Sequence, residues 1–396
     1  MEESILFASA AAVGPGVDWN IDSLVEQIEP QMSGRSIDFG LVFLSPPFIH
    51  HTRRIVTDLL HKLSPGILLG CTAEGVITKD NEIEQEPAIS LIGAHFPGVE
   101  LSPFILQSDD WPVMLLDEEE FKRFVDVPED SGLIIALGDP FSTPMDDILL
   151  SFDNFYPGIP VVGGMASGAL RPHGNFLFVN DRITDIGMVG LAVSGSLDVD
   201  AIVSQGCRPI WRPFKVSSAR KNVIYSLEDH SPLRWIQDLV PELSVVDRSL
   251  LQSGLFVGRS IDPQREILGR GDFLIRGVIG IDQQNGSITV GGLVEEGEMI
   301  QFHLRDAVTA REDLEMMLIP QTFRQAPDGG ILFACNGRGT KLYDQPDGDI
   351  SVIQENLSGI PLAGFFCAGE IGPVGGRNFL HGHTASLVLF RSALEM

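Results

Sequence analysis

Arg338 and Glu370 are the side chains in this sequence best suited to hold a small polar molecule. Each sits in a glycine-rich stretch, Gly337-Arg338-Gly339 and Gly369-Glu370. An arginine offers a planar fork that matches a carboxylate, and a glutamate can accept from an ammonium group. The alternative reading of the same residues is that they pair with each other and tie two loops together. Cys335 lies three positions before Arg338. With Cys71 and Cys367 it falls on an apolar stretch, where the first reading is a small buried hydrophobe; a reactive thiol would need a basic neighbour, and none adjoins in sequence. His381 and His383, two apart in an expected strand, would face one side. Together with Glu370 they form a candidate set for a divalent metal such as zinc. His173, beside Pro172, is a candidate axial ligand for haem. Neither group is demanded by any motif, so the expectation is no cofactor. Enzyme signatures are sparse. Ser167 stands one position off the Gly-x-Ser-x-Gly elbow, Gly337-Arg338-Gly339 lacks the third glycine of a dinucleotide fingerprint, and no phosphate-binding P-loop occurs. Whether the chain catalyses anything is left open, with binding favoured.

The elements that must position these residues repeat. An apolar run is followed about thirty residues later by a second apolar run that breaks into Gly-x4-Gly, three times over. Gly40 to Leu44 leads to Gly70-Cys71-Thr72-Ala73-Glu74-Gly75. Gly132 to Leu137 leads to Gly163-Gly164-Met165-Ala166-Ser167-Gly168. Gly330 to Cys335 leads to Gly364-Phe365-Phe366-Cys367-Ala368-Gly369. Small residues where buried strands end would let a ligand approach the backbone. Gly70, Thr72, Gly163, Gly164, Gly364 and Gly369 therefore join Cys335, Arg338, Glu370 and His381 as candidate ligand-binding residues. Three convergent corners walling off a cavity are the expectation on which a receptor reading depends.

Apolar spacing predicts helices over Asp18–Glu29, Thr52–Leu63, Asp117–Phe124, Met145–Phe152 and Asp306–Leu318, the first capped by Asp18 or Asp22 and the last burying Leu314, Met317 and Leu318. Pro65-Gly66 and Pro157-Gly158 stop two of them. Strands are predicted at Ala88–Gly93, Asn175–Val179 and Met188–Val193. Asn285-Gly286 between β-prone runs predicts a hairpin. The whole reads as a mixed α/β (α+β) protein of two related halves, sheets flanked by helices, joined near Gly206–Pro213.

The chain has 396 residues, enough for two domains. It is 44% hydrophobic and 20% charged, as folded proteins are. Its formal net charge of -27 argues against nucleic acid and anionic membrane surfaces as partners. No apolar run is long enough to span a bilayer, and the start, Met1-Glu2-Glu3-Ser4, lacks the basic region of a signal peptide. Four cysteines give no disulfide framework. A cytoplasmic location is the expectation.

Several motifs, in order, resemble the FIST family (F-box and intracellular signal transduction proteins). Phe333-Ala334-Cys335-Asn336-Gly337-Arg338 resembles its Phe-Ser-Cys-x-Gly-Arg segment, and Gly364-Phe365-Phe366-Cys367-Ala368-Gly369-Glu370-Ile371 its Gly-Phe-Tyr-x-x-Gly-Glu-Ile signature. His381-Gly382-His383-Thr384 is similar to the His-Asn-x-Thr that follows, and Gly206-Cys207-Arg208-Pro209 to a bridging Gly-x-x-Pro. Ala334, Gly382 and Ser167 depart from the pattern. The resemblance implies a FIST N-like domain over 1–210 and a FIST C-like domain over 211–396. It further implies an intracellular sensory module that binds a small molecule, an amino acid being the favoured class. Relatives carry signalling output domains; here a separate output protein would be the partner.

Overall fold

The computed structural model describes residues 4–107, 109, 111–261 and 271–393, and its contacts divide the chain into two units. One comprises residues 1–203, 314–380 and 384–396; the other comprises 204–313 and 381–383.

The larger unit is built from one motif used three times. The first copy runs β1 (Leu6–Val13), α1 (Val17–Met32), β2 (Phe39–Leu44), α2 (Thr52–Leu63), β3 (Ile67–Thr72), β4 (Gly75–Ile77), β5 (Glu82–Glu84) and β6 (Ala88–His95). The second runs β7 (Val99–Leu106), α3 (Trp111–Met114), α4 (Glu118–Val125), β8 (Ser131–Gly138), α5 (Met145–Phe155), β9 (Val161–Met165), β10 (Leu177–Val179), β11 (Arg182–Thr184) and β12 (Met188–Gly195). The third begins with β13 (Leu197–Gln205), whose last two residues already belong to the smaller unit.

The smaller unit follows, as β14 (Cys207–Pro209), β15 (Phe214–Arg220), β16 (Val223–Leu227), α6 (Pro232–Leu239), α7 (Val245–Ser253), β17 (Phe256–Ser260), β18 (Phe273–Ile281), β19 (Ile288–Val290) and β20 (Met299–Arg305). Its strands form one sheet in the order β14-β20-β15-β16-β19-β18-β17, closed by a further β20–β17 pairing. The ring comprises β20, β15, β16, β19, β18 and β17, with β14 alongside β20, and Phe214, Val257, Ile288 and Phe302 fill the interior. The expected hairpin is present, β18 pairing antiparallel with β19 around Gly286, whose φ is +74°.

The third copy resumes with α8 (Ala307–Leu318), β21 (Gly329–Cys335), α9 (Gly348–Leu357), β22 (Leu362–Cys367), β23 (Glu370–Val374), β24 (Arg377–His381) and β25 (Thr384–Ser392).

Among the described residues the copies form three six-stranded sheets of equivalent order: β1-β6-β2-β3-β10-β11, β7-β12-β8-β9-β23-β24 and β13-β25-β21-β22-β4-β5. In each, the two central strands run parallel and the return strand antiparallel. The hairpin that leaves each corner does not stay at home: that of the first copy extends the third sheet, that of the second the first, and that of the third the second. The mixed class is as expected from sequence, and the repetition is threefold.

Alternation explains the unbroken apolar runs of the central strands. Phe39, Leu41 and Phe43, Leu133, Ile135 and Leu137, and Ile331 and Phe333 point into one shared core. Their neighbours Val42 and Leu44, Ile134 and Ala136, and Leu332 and Ala334 face the helices of their own copy. Strands buried on both faces must be apolar at every position.

Local signals set the helices. In α2, Ile55, Val56 and Leu59 are buried, and Ser64 closes the end with φ +46°. Asp117 caps α4 by accepting from the Glu120 amide. The start of α1 differs from the expectation: Gly16 is the N-cap with no side-chain bond, and Asn20 instead donates to the carbonyls of Gly14 and Gly16. In α8, Leu314 and Leu318 are buried while Met317 is 37% exposed, so the expected stripe is narrower by one.

Candidate functional site

The three corners converge. The Met165 amide donates to the Gly369 carbonyl and the Ala368 amide to the Met165 carbonyl, at 2.8 and 2.9 Å, while the Ser167 amide donates to Thr72. The Ser167 side chain links all three copies: its oxygen accepts from the Glu74 amide at 2.8 Å, and its hydroxyl donates to the Phe366 carbonyl. The position that breaks the sequence pattern is thus the junction. Ser167→Ala would leave the buried Phe366 carbonyl and the Glu74 amide without this partner. A loss of about 1–3 kcal/mol is expected in urea unfolding; a change within ~0.5 kcal/mol, the range of an uninvolved surface site, would refute the junction role.

The repeated glycines have a reason other than ligand access. A Cβ at Gly70, Gly163 or Gly364 would lie 2.1, 1.9 and 2.0 Å from the carbonyl oxygens of Val42, Ala136 and Leu332, the register partners on the neighbouring parallel strand. Beside Gly70 the Phe178 ring takes the remaining space, and beside Gly164 the Cys367 sulfur does. Thr72 is fully buried and accepts from the Phe176 amide at 2.9 Å. Small residues at these ends bring protein backbone close to protein backbone.

Polar chemistry gathers next to the third corner. Arg338, 1% exposed, leaves the end of β21 and forms a fork with Asp349 at the start of α9, Nε donating to Oδ2 at 2.6 Å and Nη2 to Oδ1 at 2.5 Å. Nη2 also donates to the Tyr343 hydroxyl, which itself donates to Asp349 Oδ1 at 2.7 Å. Glu82, from the hairpin of the first copy, accepts the amides of Asp349 and Ile350 through Oε1, at 2.8 and 2.9 Å. The ion pair of Arg338 is therefore with Asp349, and not with Glu370 as the structural alternative had it. Glu370, fully buried, accepts through Oε2 from the Thr384 amide and hydroxyl at 3.1 and 2.8 Å.

Within this cluster, the donor Arg338 Nη1 and the oxygens Glu82 Oε2 and Glu370 Oε1 are buried and make no hydrogen bond to nitrogen or oxygen. Burial pushes the Glu370 carboxyl up to about 8, against the easing effect of the Thr384 bonds, the Cys335 thiol and the Arg338 charge. Burial, then the Asp349 charge, raises Glu82 to about 8 as well. In both, burial favours the protonated carboxyl near neutral pH. A carboxyl raised from its ordinary 4.5 binds more protons folded than unfolded, so its contribution is complete below about pH 4.5 and disappears as pH rises through 8. Unfolding free energy should fall across pH 4.5–8, and by up to ~1.4 kcal/mol per pH unit less steeply in Glu370→Gln. Identical slopes in urea melts of the two proteins would show that Glu370 does not titrate this way.

The remaining candidates disperse. The strand β24 ends at His381, and His383 takes a left-handed φ of +63°, so the two histidines do not share one strand face. Both group with the smaller unit. His173 is exposed, with Asp185 at 3.1 Å. Among the described residues no set of three or more His, Cys, Asp or Glu side chains is arranged to hold a metal, and no helix is long and apolar enough to cross a membrane. Sequence reasoning missed Asp349, Tyr343 and Glu82. Asp349 sits in α9, where Ile350, Val352 and Ile353 are all buried and the polar face that would signal a helix is narrow. The cap of α9 lies in Pro346-Asp347-Gly348, a tight-turn sequence, Asp347 having φ +64°.

This threefold frame, with a closed-sheet insert in its third copy, matches two family descriptions in series: FIST N domain over residues 38–230 and FIST C domain over 232–373. The chain belongs to the FIST family. It is 38% identical over 348 residues to an uncharacterized protein of Mycobacterium tuberculosis, covering 86% of this chain and 88% of that one. A second relative, an uncharacterized protein of Mycobacterium bovis, is 35% identical over 373 residues, 93% of this chain and 94% of the other. A crystal structure of cyanuric acid hydrolase from A. caulinodans aligns over 98% of this chain and 100% of its own at 6% identity and a TM-score of 0.37. FIST domains are sensory modules that bind small ligands.

Proposed function

We propose that this protein is an intracellular sensor whose ligand is a small molecule carrying an acceptor group and a cation, an amino acid being the simplest such class, held between Arg338, Glu82 and Glu370. The observation that carries the reading is that buried polar atoms of Arg338, Glu82 and Glu370 beside the meeting point of the corners make no bond to nitrogen or oxygen, the Glu370 carboxyl having only the weakly donating Cys335 thiol besides Thr384. Unsatisfied buried groups are costly, and a donor set against two carboxyl acceptors is complementary to a ligand of that kind. Because Asp349 already occupies the fork of Arg338, the contact with the ligand is a single bond through Nη1. A bound ammonium would let a neutral carboxyl ionise, so binding at pH 7 releases about one proton. A change in the bound state would reach a separate output protein through the shared backbone of the corners.

The test is thermal melting of the purified protein against a panel of amino acids and related acids. A few members should raise the midpoint in a dose-dependent way, by an amount corresponding to about 2.7 kcal/mol at one hundred times Kd. Glu370→Gln should abolish the rise while remaining folded. Proton release is read from calorimetry in buffers of different ionisation enthalpy. Silence across the panel, or equal response in Glu370→Gln, overturns the proposal.

A further inference from the structure

Two of the buried thiols are direct neighbours. Cys335 ends β21 and Cys367 ends β22, and they are register partners in the parallel ladder. In-register residues of adjacent strands project from the same face. Here that face is the shared core, as the preceding inward residues Phe333 and Phe365 establish. Strand spacing puts their Cα atoms about 4.8 Å apart, inside the range of roughly 4.4–6.8 Å that a disulfide spans. Cys335 is 7% exposed, whereas Cys367 is fully buried, and burial, then the neighbouring Glu370, Cys71 and Cys335, hold the Cys367 thiol well above its ordinary range, so that it attacks slowly and as the neutral thiol. Both thiols are buried, Cys335 slightly less completely than Cys367.

We propose that Cys335 and Cys367 form a hydroperoxide-responsive dithiol at the edge of the ligand site, closing reversibly to a cross-strand disulfide. The Cys335 sulfur attacks one oxygen of a hydroperoxide; the O–O bond breaks, one water (or alcohol) leaves, and Cys335 becomes a sulfenic acid. The Cys367 sulfur then displaces the hydroxyl from that sulfenic sulfur, its own proton leaving with the oxygen as a second water. Two electrons pass from the thiols to the peroxide, and both thiol protons end on oxygen. The bridge is readily undone. Side chains on neighbouring strands keep their Cβ atoms near the strand spacing, beyond the roughly 3.5–4.5 Å that a relaxed disulfide prefers, and strained bridges are the reducible ones.

Closing the bridge would reach the site in two ways. It removes a thiol that eases the Glu370 carboxyl. It also pulls on a turn in which Cys335 accepts from the Arg338 amide at 2.8 Å and Cys367 from the Asn336 amide at 2.8 Å. This consequence rests on the ligand reading above, whereas the dithiol itself does not.

The folded protein is treated with hydrogen peroxide, the peroxide is removed, and the chain is unfolded in urea, blocked with iodoacetamide and mapped by peptide mass spectrometry. The expected result is loss of two alkylatable thiols and a Cys335–Cys367 linked peptide that dithiothreitol reverses. Cys71→Ser should retain the link. Cys367→Ser should lose it and leave Cys335 as a dimedone-reactive sulfenic acid; should that variant fail to fold, the wild-type and Cys71→Ser maps decide. A link to Cys71 or Cys207, or four thiols still alkylatable, overturns the proposal. An oxidised protein should bind a panel ligand about tenfold more weakly. Unchanged affinity with the link formed would overturn the regulatory part, while a reduced protein that responds to no ligand would count against the ligand reading and leave the dithiol standing.

Discussion

Asp349→Ala is expected to lower the unfolding free energy by about 3–5 kcal/mol, because it leaves the guanidinium of Arg338 buried without its counter-charge. Arg338 is 1% exposed and Asp349 fully buried, and no side-chain rearrangement at the surface can replace the fork. Tyr343 loses an acceptor in the same step, and the Glu82 contact to the start of α9 loses its setting. The double replacement Arg338→Met with Asp349→Leu removes both charges together. It should recover much of the loss, since a buried ion pair is often matched by apolar residues of similar volume. Urea unfolding of the wild type, the single variant and the double variant checks both statements. A single variant within ~1 kcal/mol of wild type would mean that Arg338 finds another partner, and the account of the cluster would have to change.

An equally large effect is expected at the corners. Gly364→Val would place a branched side chain where a Cβ already comes within 2.0 Å of the Leu332 carbonyl oxygen. The obstacle is backbone in a parallel ladder, so it cannot turn aside as a side chain would. The expected loss exceeds ~4 kcal/mol, and the variant should be recovered unfolded or aggregated. Gly132→Ala is the control: it lies at the start of a central strand in open space, with nothing within 4 Å of its Cβ. Its thermal midpoint should match that of the wild type or rise slightly, since alanine restricts the unfolded chain more than glycine does. Folding of Gly364→Val with a wild-type melt would show that the parallel pair can open at this point.

Much of the fold was legible in the residues. The helix over Thr52–Leu63 follows from Ile55, Val56 and Leu59 on one face, followed by Pro65-Gly66. The repeated pairing of an apolar run with Gly-x4-Gly marked the three parallel pairs, because each needs a glycine opposite a carbonyl of its neighbour. The site was legible only in part. Arg338 and Glu370 stood out by charge within apolar, glycine-rich surroundings. Their partners Asp349 and Thr384 did not, because a single Asp or Thr carries no local mark of the charge it will meet.

By itself the sequence determined the elements, their threefold repetition and the small residues at each corner, all of which depend on neighbours within one strand, one helix or one turn. Only the tertiary structure decided which sheet each outgoing hairpin joins: β4 with β22, β10 with β3, and β23 with β9. It also decided that Arg338 pairs with Asp349, and that Ser167 joins three segments distant in the chain. The physical reason is that an unpaired strand edge or a buried charge accepts any partner of suitable geometry. The choice among partners is made by which copies pack around the common core, and spacing along the chain does not record it.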